Sequence, residues 1–163
     1  MPTADISVLY ADASMLVLDK PSGLLSVPGR GPDKQDCLSA RVQQQFPDAQ
    51  IVHRLDMATS GLMLMARGTQ ALSILNRAFA ERQVDKRYQA LVCGRPACGD
   101  APWQVIDLPI AVDWPNRPLR VIDEQGKPSL TRWRMLDTSH PGMTRLELEP
   151  VTGRSHQLRV HLR

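Results

Sequence analysis

A chain of 163 residues with 42% hydrophobic and 23% charged side chains has the composition of a soluble globular protein and length enough for one buried core. It has no apolar run near the ~18 residues of a membrane-spanning helix, and Met1-Pro2-Thr3-Ala4-Asp5 lacks the basic and apolar stretches of a secretory leader. Its 20 basic residues against 17 acidic ones give a net charge of +3, too mild an excess to name a partner.

In chain order, Ile6–Tyr10 and Leu16–Lys20 read as two short strands broken by the polar turn Ala11-Asp12-Ala13-Ser14. Pro21-Ser22-Gly23 and Pro28-Gly29-Arg30-Gly31-Pro32 mark a long irregular segment. Asp36 to Phe46 reads as a helix, with Leu38, Val42 and Phe46 on one face and Pro47 just beyond. Leu62–Ala66 reads as a buried strand, and Thr69 as the cap of a helix running to about Gln83 with Leu72, Leu75 and Phe79 inward. Arg87–Cys93 reads as a strand, followed by a proline-rich region, Pro96 to Pro118, with short strands near Val105–Ile110. Leu130–Leu136 and Thr144–Glu149 alternate apolar and polar residues around His140-Pro141-Gly142, a hairpin signal. Ser155–Arg163 reads as the first turns of a helix carrying Leu158 and Leu162. The expected class is α+β, a mixed, largely antiparallel sheet with flanking helices, in one domain over 1–163 with no linker and no internal repeat.

Cys37, Cys93 and Cys98 cannot all pair and form no C-x-x-C, which suits a reducing cytoplasm better than a disulfide framework. Cys93 and Cys98 read as small loop residues rather than metal ligands. His156 and His161 stand five apart, so they do not share the helix face that H-E-x-x-H needs. No glycine-rich phosphate loop is present. Arginines recur in clusters (Arg82 with Lys86 and Arg87; Arg117 with Arg120; Arg132 with Arg134; Arg154 with Arg159 and Arg163), which read either as phosphate contacts or as solvated faces. Aromatic residues make up only 4%, few for a single-strand binder built on stacking.

Three segments concentrate chemistry. His53-Arg54-Leu55-Asp56-Met57-Ala58-Thr59-Ser60-Gly61 is a polar, glycine-ended connector between the apolar runs Ile51-Val52 and Leu62–Ala66, the pattern of a loop held rigidly by a core. Its Asp56 reads equally as a turn cap or a catalytic carboxylate. Lys86-Arg87-Tyr88 brings a tyrosine into a strand beside two cations, as packing or as chemistry. Thr152-Gly153-Arg154-Ser155-His156-Gln157 sets an arginine at a helix mouth, where the helix dipole disfavours a cation. Either Arg154 is solvated there or it answers an anion, with Asp56 the candidate. A His-Arg-x-Asp string also occurs in protein kinase catalytic loops, but Gly61 stands where those require asparagine.

His53-Arg54-Leu55-Asp56-x-x-Thr59-Ser60-Gly61 resembles the signature of the RluA family of RNA pseudouridine synthases. Lys20-Pro21-Ser22-Gly23-Leu24, Lys86-Arg87-Tyr88 and Gly153-Arg154-x-His156-Gln157-x-Arg159-x-His161 resemble the family's other motifs, in the same order and over nearly the whole chain. Leu24–Arg30 and Asp113-Trp114-Pro115-Asn116-Arg117-Pro118 are similar to members that modify both 23S rRNA and tRNA.

The resemblance implies an isomerase that converts uridine to pseudouridine in stem-loops of 23S rRNA and tRNA, including the anticodon stem-loop, with no cofactor and no metal. It implies Asp56 as the catalytic carboxylate, acting on the anomeric carbon or on a neighbouring sugar proton. It implies Tyr88 packed on the uracil and aiding its late deprotonation, and Arg154 pairing with and orienting Asp56. Arg54 would enter the space left by a flipped uridine, with His53, Lys86, Arg87 and Arg159 as further RNA contacts. Compared with the family pattern, the sequence lacks an N-terminal domain of the S4 type and stops before the family's closing Gly-Asp-x-x-Tyr segment and strands. The expectation is therefore a catalytic domain lacking its C-terminal part, able to self-associate through an exposed sheet edge. A non-catalytic RNA-binding fragment of such an enzyme is the alternative.

Overall fold

The computed structural model describes residues 6–137 and 141–163. Its backbone contacts divide into two compact units, Met1–Gln83 and Val84–Arg163. Every strand ladder in it is antiparallel, and few helices accompany the sheets, so the expected α+β class holds. Among the described residues no helix is long and apolar enough to cross a membrane.

The first unit contains β1 (Ser7–Ala11), β2 (Met15–Lys20), a 3-10 turn (Pro32–Lys34), α1 (Leu38–Gln45), β3 (Ala49–Ile51), β4 (Gly61–Arg67) and α2 (Gly68–Ala80). The strands lie in the order β1-β2-β4-β3. Asp12 closes the first hairpin, its Oδ1 accepting the N–H groups of Ser14 at 2.7 Å and Met15 at 2.8 Å. Period-two alternation sends Leu16 and Leu18 of β2 inward, where they meet Met63 and Met65 of β4 and Leu38 and Val42 of α1 in one core.

Both helices of this unit differ in their bounds from the sequence reading. α1 begins at Leu38, because the Asp36 carboxylate is engaged by the Arg41 guanidinium instead of opening the helix. α2 begins at Gly68 with Arg67 as its N-cap residue and no side-chain cap, so Thr69 sits inside the helix, which ends at Ala80. Arg67 ends β4 and donates to Asp48 at 3.0 Å and to the Asp12 carbonyl at 3.0 Å. Tertiary anchoring of that arginine, and not a hydroxyl cap, sets where the helix starts.

The second unit contains β5 (Tyr88–Cys93), β6 (Gln104–Asp107), β7 (Ile110–Val112), β8 (Arg120–Ile122), β9 (Leu130–Asp137), β10 (Met143–Pro150) and α3 (Gln157–His161). A four-stranded sheet runs β5-β10-β9-β6, and β7 and β8 form a separate two-stranded ribbon. Trp133, Leu146 and Leu148 fill the core on one sheet face, with Tyr88, Ala90, Leu158 and Leu162 packed against them. The hairpin read from β9 and β10 is present, and His140 of its expected turn lies outside the described residues. β3 and β8, three residues each, are additions to the sequence reading.

Candidate active site

The Asp56 loop spans the gap between β3 and β4, whose register pairs Ala49 with Arg67 and Ile51 with Met65. It is tied down along its length by the segment that follows β2. Ser26 Oγ donates to the Leu55 carbonyl at 2.7 Å and accepts the Leu55 N–H at 3.1 Å. The Gly23 N–H donates to the Met57 carbonyl at 2.8 Å, and Ser22 Oγ to the Ala58 carbonyl at 2.8 Å. Within the loop, the Thr59 N–H donates to the Asp56 carbonyl at 3.0 Å. Gly61 ends the loop at φ 121°, a conformation in which any side chain would be strained.

His53 anchors the other end. Its Nε2 accepts the Leu64 N–H at 2.9 Å, and its ring stacks on Phe79 of α2 with centroids 4.7 Å apart. Leu55 is buried. Arg54 is therefore an exposed side chain presented between two fixed neighbours. Asp56 is half-buried.

Beneath the loop lies Lys20, with no solvent-exposed surface. Its Nζ donates to the carbonyls of Pro21 at 2.9 Å, Leu24 at 2.7 Å and Met57 at 3.2 Å, using all three hydrogens. Burial pushes its pKa below the usual lysine range, and the Asp56 carboxylate opposes that shift. Lys20 thus supplies positive charge to the Asp56 carboxylate within the same unit. Lys20 and Ser26 were not singled out as site residues from the sequence. The signal for Lys20 was there: strict alternation in β2 puts it on the face of Leu16 and Leu18.

In the second unit, Tyr88 opens β5 opposite Leu148 of β10 and packs on the Trp133 core. Lys86 is half-buried just before it. Arg87 pairs with Glu149 and lies over the Trp103 ring at 5.2 Å. Arg132 and Arg134 lie over the same ring at 5.1 and 4.8 Å and pair with Glu149 and Glu147.

α3 opens at Gln157, two residues later than the expected Ser155, so Arg154 stands in the loop that leads into the helix. The Arg154 loop is held by its backbone N–H, which donates to Gln157 Oε1 at 2.9 Å, while Arg154 Nε donates to the Pro128 carbonyl at 3.2 Å. Gln157 is buried with its whole amide satisfied. Oε1 also accepts Thr152 Oγ1 at 2.8 Å, and Nε2 donates to the Leu130 carbonyl and to Thr131 Oγ1, each at 3.0 Å. His161, one helical turn on, lies 2.9 Å from Thr131 Oγ1 through Nδ1 and 3.0 Å from the Leu108 carbonyl through Nε2. A carbonyl only accepts, so Nε2 carries a hydrogen. Gln157 and His161 are the buried anchors of the Arg154 motif, and Arg154 and Arg159 are its exposed cations.

His53, Arg54 and Asp56 therefore share one loop of the first unit, while Lys86, Arg87, Tyr88, Arg154 and Arg159 belong to the second. The first offers a rigidly held carboxylate beside a buried ammonium, and the second a phenol and a guanidinium. Among the described residues no three His, Cys, Asp or Glu side chains converge as metal ligands.

Residues 14–163 match the family model described as RNA pseudouridylate synthase, which takes in both units and every motif above. The chain belongs to that family. It is 49% identical over 156 residues to the dual-specificity RNA pseudouridine synthase RluA of Yersinia pestis, an alignment covering 95% of this chain and 74% of the relative. It is 46% identical to the protein of the same name from Escherichia coli K12, of which 70% is covered. Among solved structures, human RNA pseudouridylate synthase domain containing 1 superposes with a TM-score of 0.74 at 29% identity, covering 99% of this chain and 66% of that one. Human RNA pseudouridylate synthase domain containing 4 gives 0.71 at 27% identity, with 96% and 63% covered. The chain thus spans just under two thirds of the length of those two solved structures.

Proposed function

We propose that the chain isomerises uridine to pseudouridine in stem-loops of 23S rRNA and tRNA, the anticodon stem-loop among them, in the cytoplasm. The observation that carries this reading is the Asp56 loop, a carboxylate fixed on a clamped connector directly above a buried lysine. The names of the RluA relatives support the dual RNA specificity. The free thiols of Cys37, Cys93 and Cys98 are compatible with a reducing compartment.

In the proposed reaction the glycosidic C–N bond breaks, the uracil turns, and its C5 bonds to the same sugar carbon while the C5 proton leaves. Asp56 acts at the sugar, either by attacking the anomeric carbon or by removing the adjacent C2′ proton. Tyr88 supports the uracil and assists loss of the C5 proton, and Arg154 is proposed as counter-charge to the carboxylate. Arg54 occupies the stack position vacated by the flipped nucleotide. His53 positions Arg54, while Lys86, Arg87 and Arg159 face phosphate, so binding weakens as salt rises.

Release of tritium from RNA carrying 5-tritiated uridine tests the reading. The parent chain should release it and Asp56→Asn should not. RNA binding without release would replace the isomerase with a non-catalytic RNA-binding fragment. Deuterium at C2′ separates the two roles of Asp56, since only proton abstraction gives a primary isotope effect. Self-association through an exposed sheet edge, where Leu9 of the edge strand β1 supplies exposed apolar surface, is checked by sedimentation at two concentrations.

A further inference from the structure

The ribbon of β7 and β8 ends in a tip, Asp113 to Leu119, that has no part in the uridine chemistry above. Trp114 stands on this tip with 66% of its surface exposed. A single exposed apolar side chain is ordinary on a protein surface, so what matters is how this one is held. Here the backbone beneath it is fixed. The Asp113 N–H donates to the Leu119 carbonyl at 3.2 Å, and the Leu119 N–H to the Asn116 carbonyl at 3.1 Å. The Asp113 carboxylate accepts the Asn116 N–H at 3.2 Å and its Nδ2 at 3.0 Å. Arg117 Nε donates to the Trp114 carbonyl at 3.2 Å, and the guanidinium carbon lies 4.6 Å from the indole centroid. Arg120 is held to the same tip through the carbonyls of Pro118 at 3.2 Å and Leu119 at 3.1 Å.

The result is a preorganised indole carrying a guanidinium, with a second guanidinium nearby. The one carboxylate on the tip already serves the loop's own amides. Unpaired bases stack on aromatic rings and on guanidinium planes, and their phosphates seek the same cations. The positive charge favours RNA over an apolar protein partner. We infer that Trp114 is a stacking platform for an unpaired nucleotide of the RNA substrate, with Arg117 and Arg120 meeting the flanking phosphates. This rests on the RNA-substrate reading above and extends it to a surface outside the carboxylate loop.

The test uses the full chain carrying Asp56→Asn, so that no turnover occurs. One probe is a labelled synthetic RNA hairpin with a single-stranded loop, and the other is the same stem as a blunt, fully paired duplex. Anisotropy should show Trp114→Ala weakening hairpin binding about tenfold, the size expected for one lost base stack, with duplex binding unchanged. Trp114→Phe should restore most of the affinity and Trp114→Leu little. The hairpin should also quench tryptophan fluorescence in the parent, and Trp114→Phe should abolish that quench. Since Trp114→Phe keeps an aromatic ring, it decides the matter even if the alanine variant is poorly folded.

Parental hairpin affinity in Trp114→Ala with the quench intact would overturn the inference. So would full rescue by leucine, or loss of concentration-dependent self-association with RNA affinity unchanged, which would make the tip a protein contact. Tritium release by the chain with Asp56 restored is read separately. Release together with Trp114-independent binding sinks only this inference. Trp114-dependent binding without release sinks only the isomerase.

Discussion

Lys20 does two jobs at the Asp56 loop. Its three hydrogen bonds join the segment after β2 to the Met57 carbonyl, and its charge faces the Asp56 carboxylate. Lys20→Met keeps the length and apolar stem but leaves those carbonyls without that donor and removes one positive charge facing the carboxylate. Each buried acceptor left unsatisfied costs ~1–3 kcal/mol, and loop misplacement compounds the loss in rate. The expected outcome is a lower melting temperature and single-turnover tritium release slowed by more than about tenfold. A rate within a factor of about two of the parent would remove Lys20 from the positioning of Asp56. Much of this site was legible in the residue order: the Asp56, Tyr88 and Arg154 strings stood out by composition and by resemblance. The roles of their buried supports were not legible, because Ser26, Gln157 and His161 are ordinary polar members of the matching strings until the carbonyls and hydroxyls they serve are brought to them.

Long, strongly patterned elements were readable, since β9 and β10 alternate with period two, β4 is an unbroken apolar run and α2 repeats its apolar face. β3 and β8 are shorter than any window in which periodicity shows, and they are strands only because β4 and β7 pair with them. The start of α2 escaped because it depends on Arg67 and Asp48, not on local capping. The Arg67 hydrogen bond holds the Asp48 carboxyl below the usual aspartate range. A depressed folded pKa contributes stability above the unfolded value of ~3.9 and loses it as pH falls through the folded one. Asp48→Asn should therefore lower the melting temperature at pH ~7 but not at pH ~2. The effect will be small, since the pair is exposed and screened by solvent. Equal losses at both pH values would rule out the ion pair as the source.

The β7–β8 ribbon depends on Gly126 in a different way, through space. A Cβ there would lie 2.5 Å from the Ile110 carbonyl carbon and 2.8 Å from the Ala111 nitrogen, both backbone atoms that cannot turn aside. Gly126→Ala should cost ~1–3 kcal/mol by displacing the Ile110–Lys127 bridge, read as a lower urea midpoint. An unchanged midpoint would mean that the ribbon shifts freely.

Across the whole chain, no shift in composition marks the division at Gln83. Ala80-Glu81-Arg82-Gln83-Val84-Asp85-Lys86 has none of the Gly, Ser or Pro bias of a linker and reads as the polar end of a helix. The two units differ in how much apolar side chain they bury. The first closes Leu16, Leu18, Leu38, Val42, Ala49, Met63 and Met65 into one cluster with α1 among its walls. The second has Trp133, Leu146 and Leu148 as its buried cluster, and the other face of its sheet carries arginines paired with Glu147 and Glu149. Exposed ion pairs contribute little, whereas each buried large side chain contributes ~1.5–3 kcal/mol. Local opening follows buried apolar contact, so the second unit should open at the lower free energy. In native-state hydrogen exchange, the amides of β9 and β10 should therefore exchange faster than those of β2 and β4 at low denaturant. Met65→Ala, at an expected cost of ~2–5 kcal/mol, should narrow that gap, and Leu148→Ala should widen it. Identical exchange free energies in both sheets, moved equally by either substitution, would mean that the chain unfolds as one cooperative body despite its two cores.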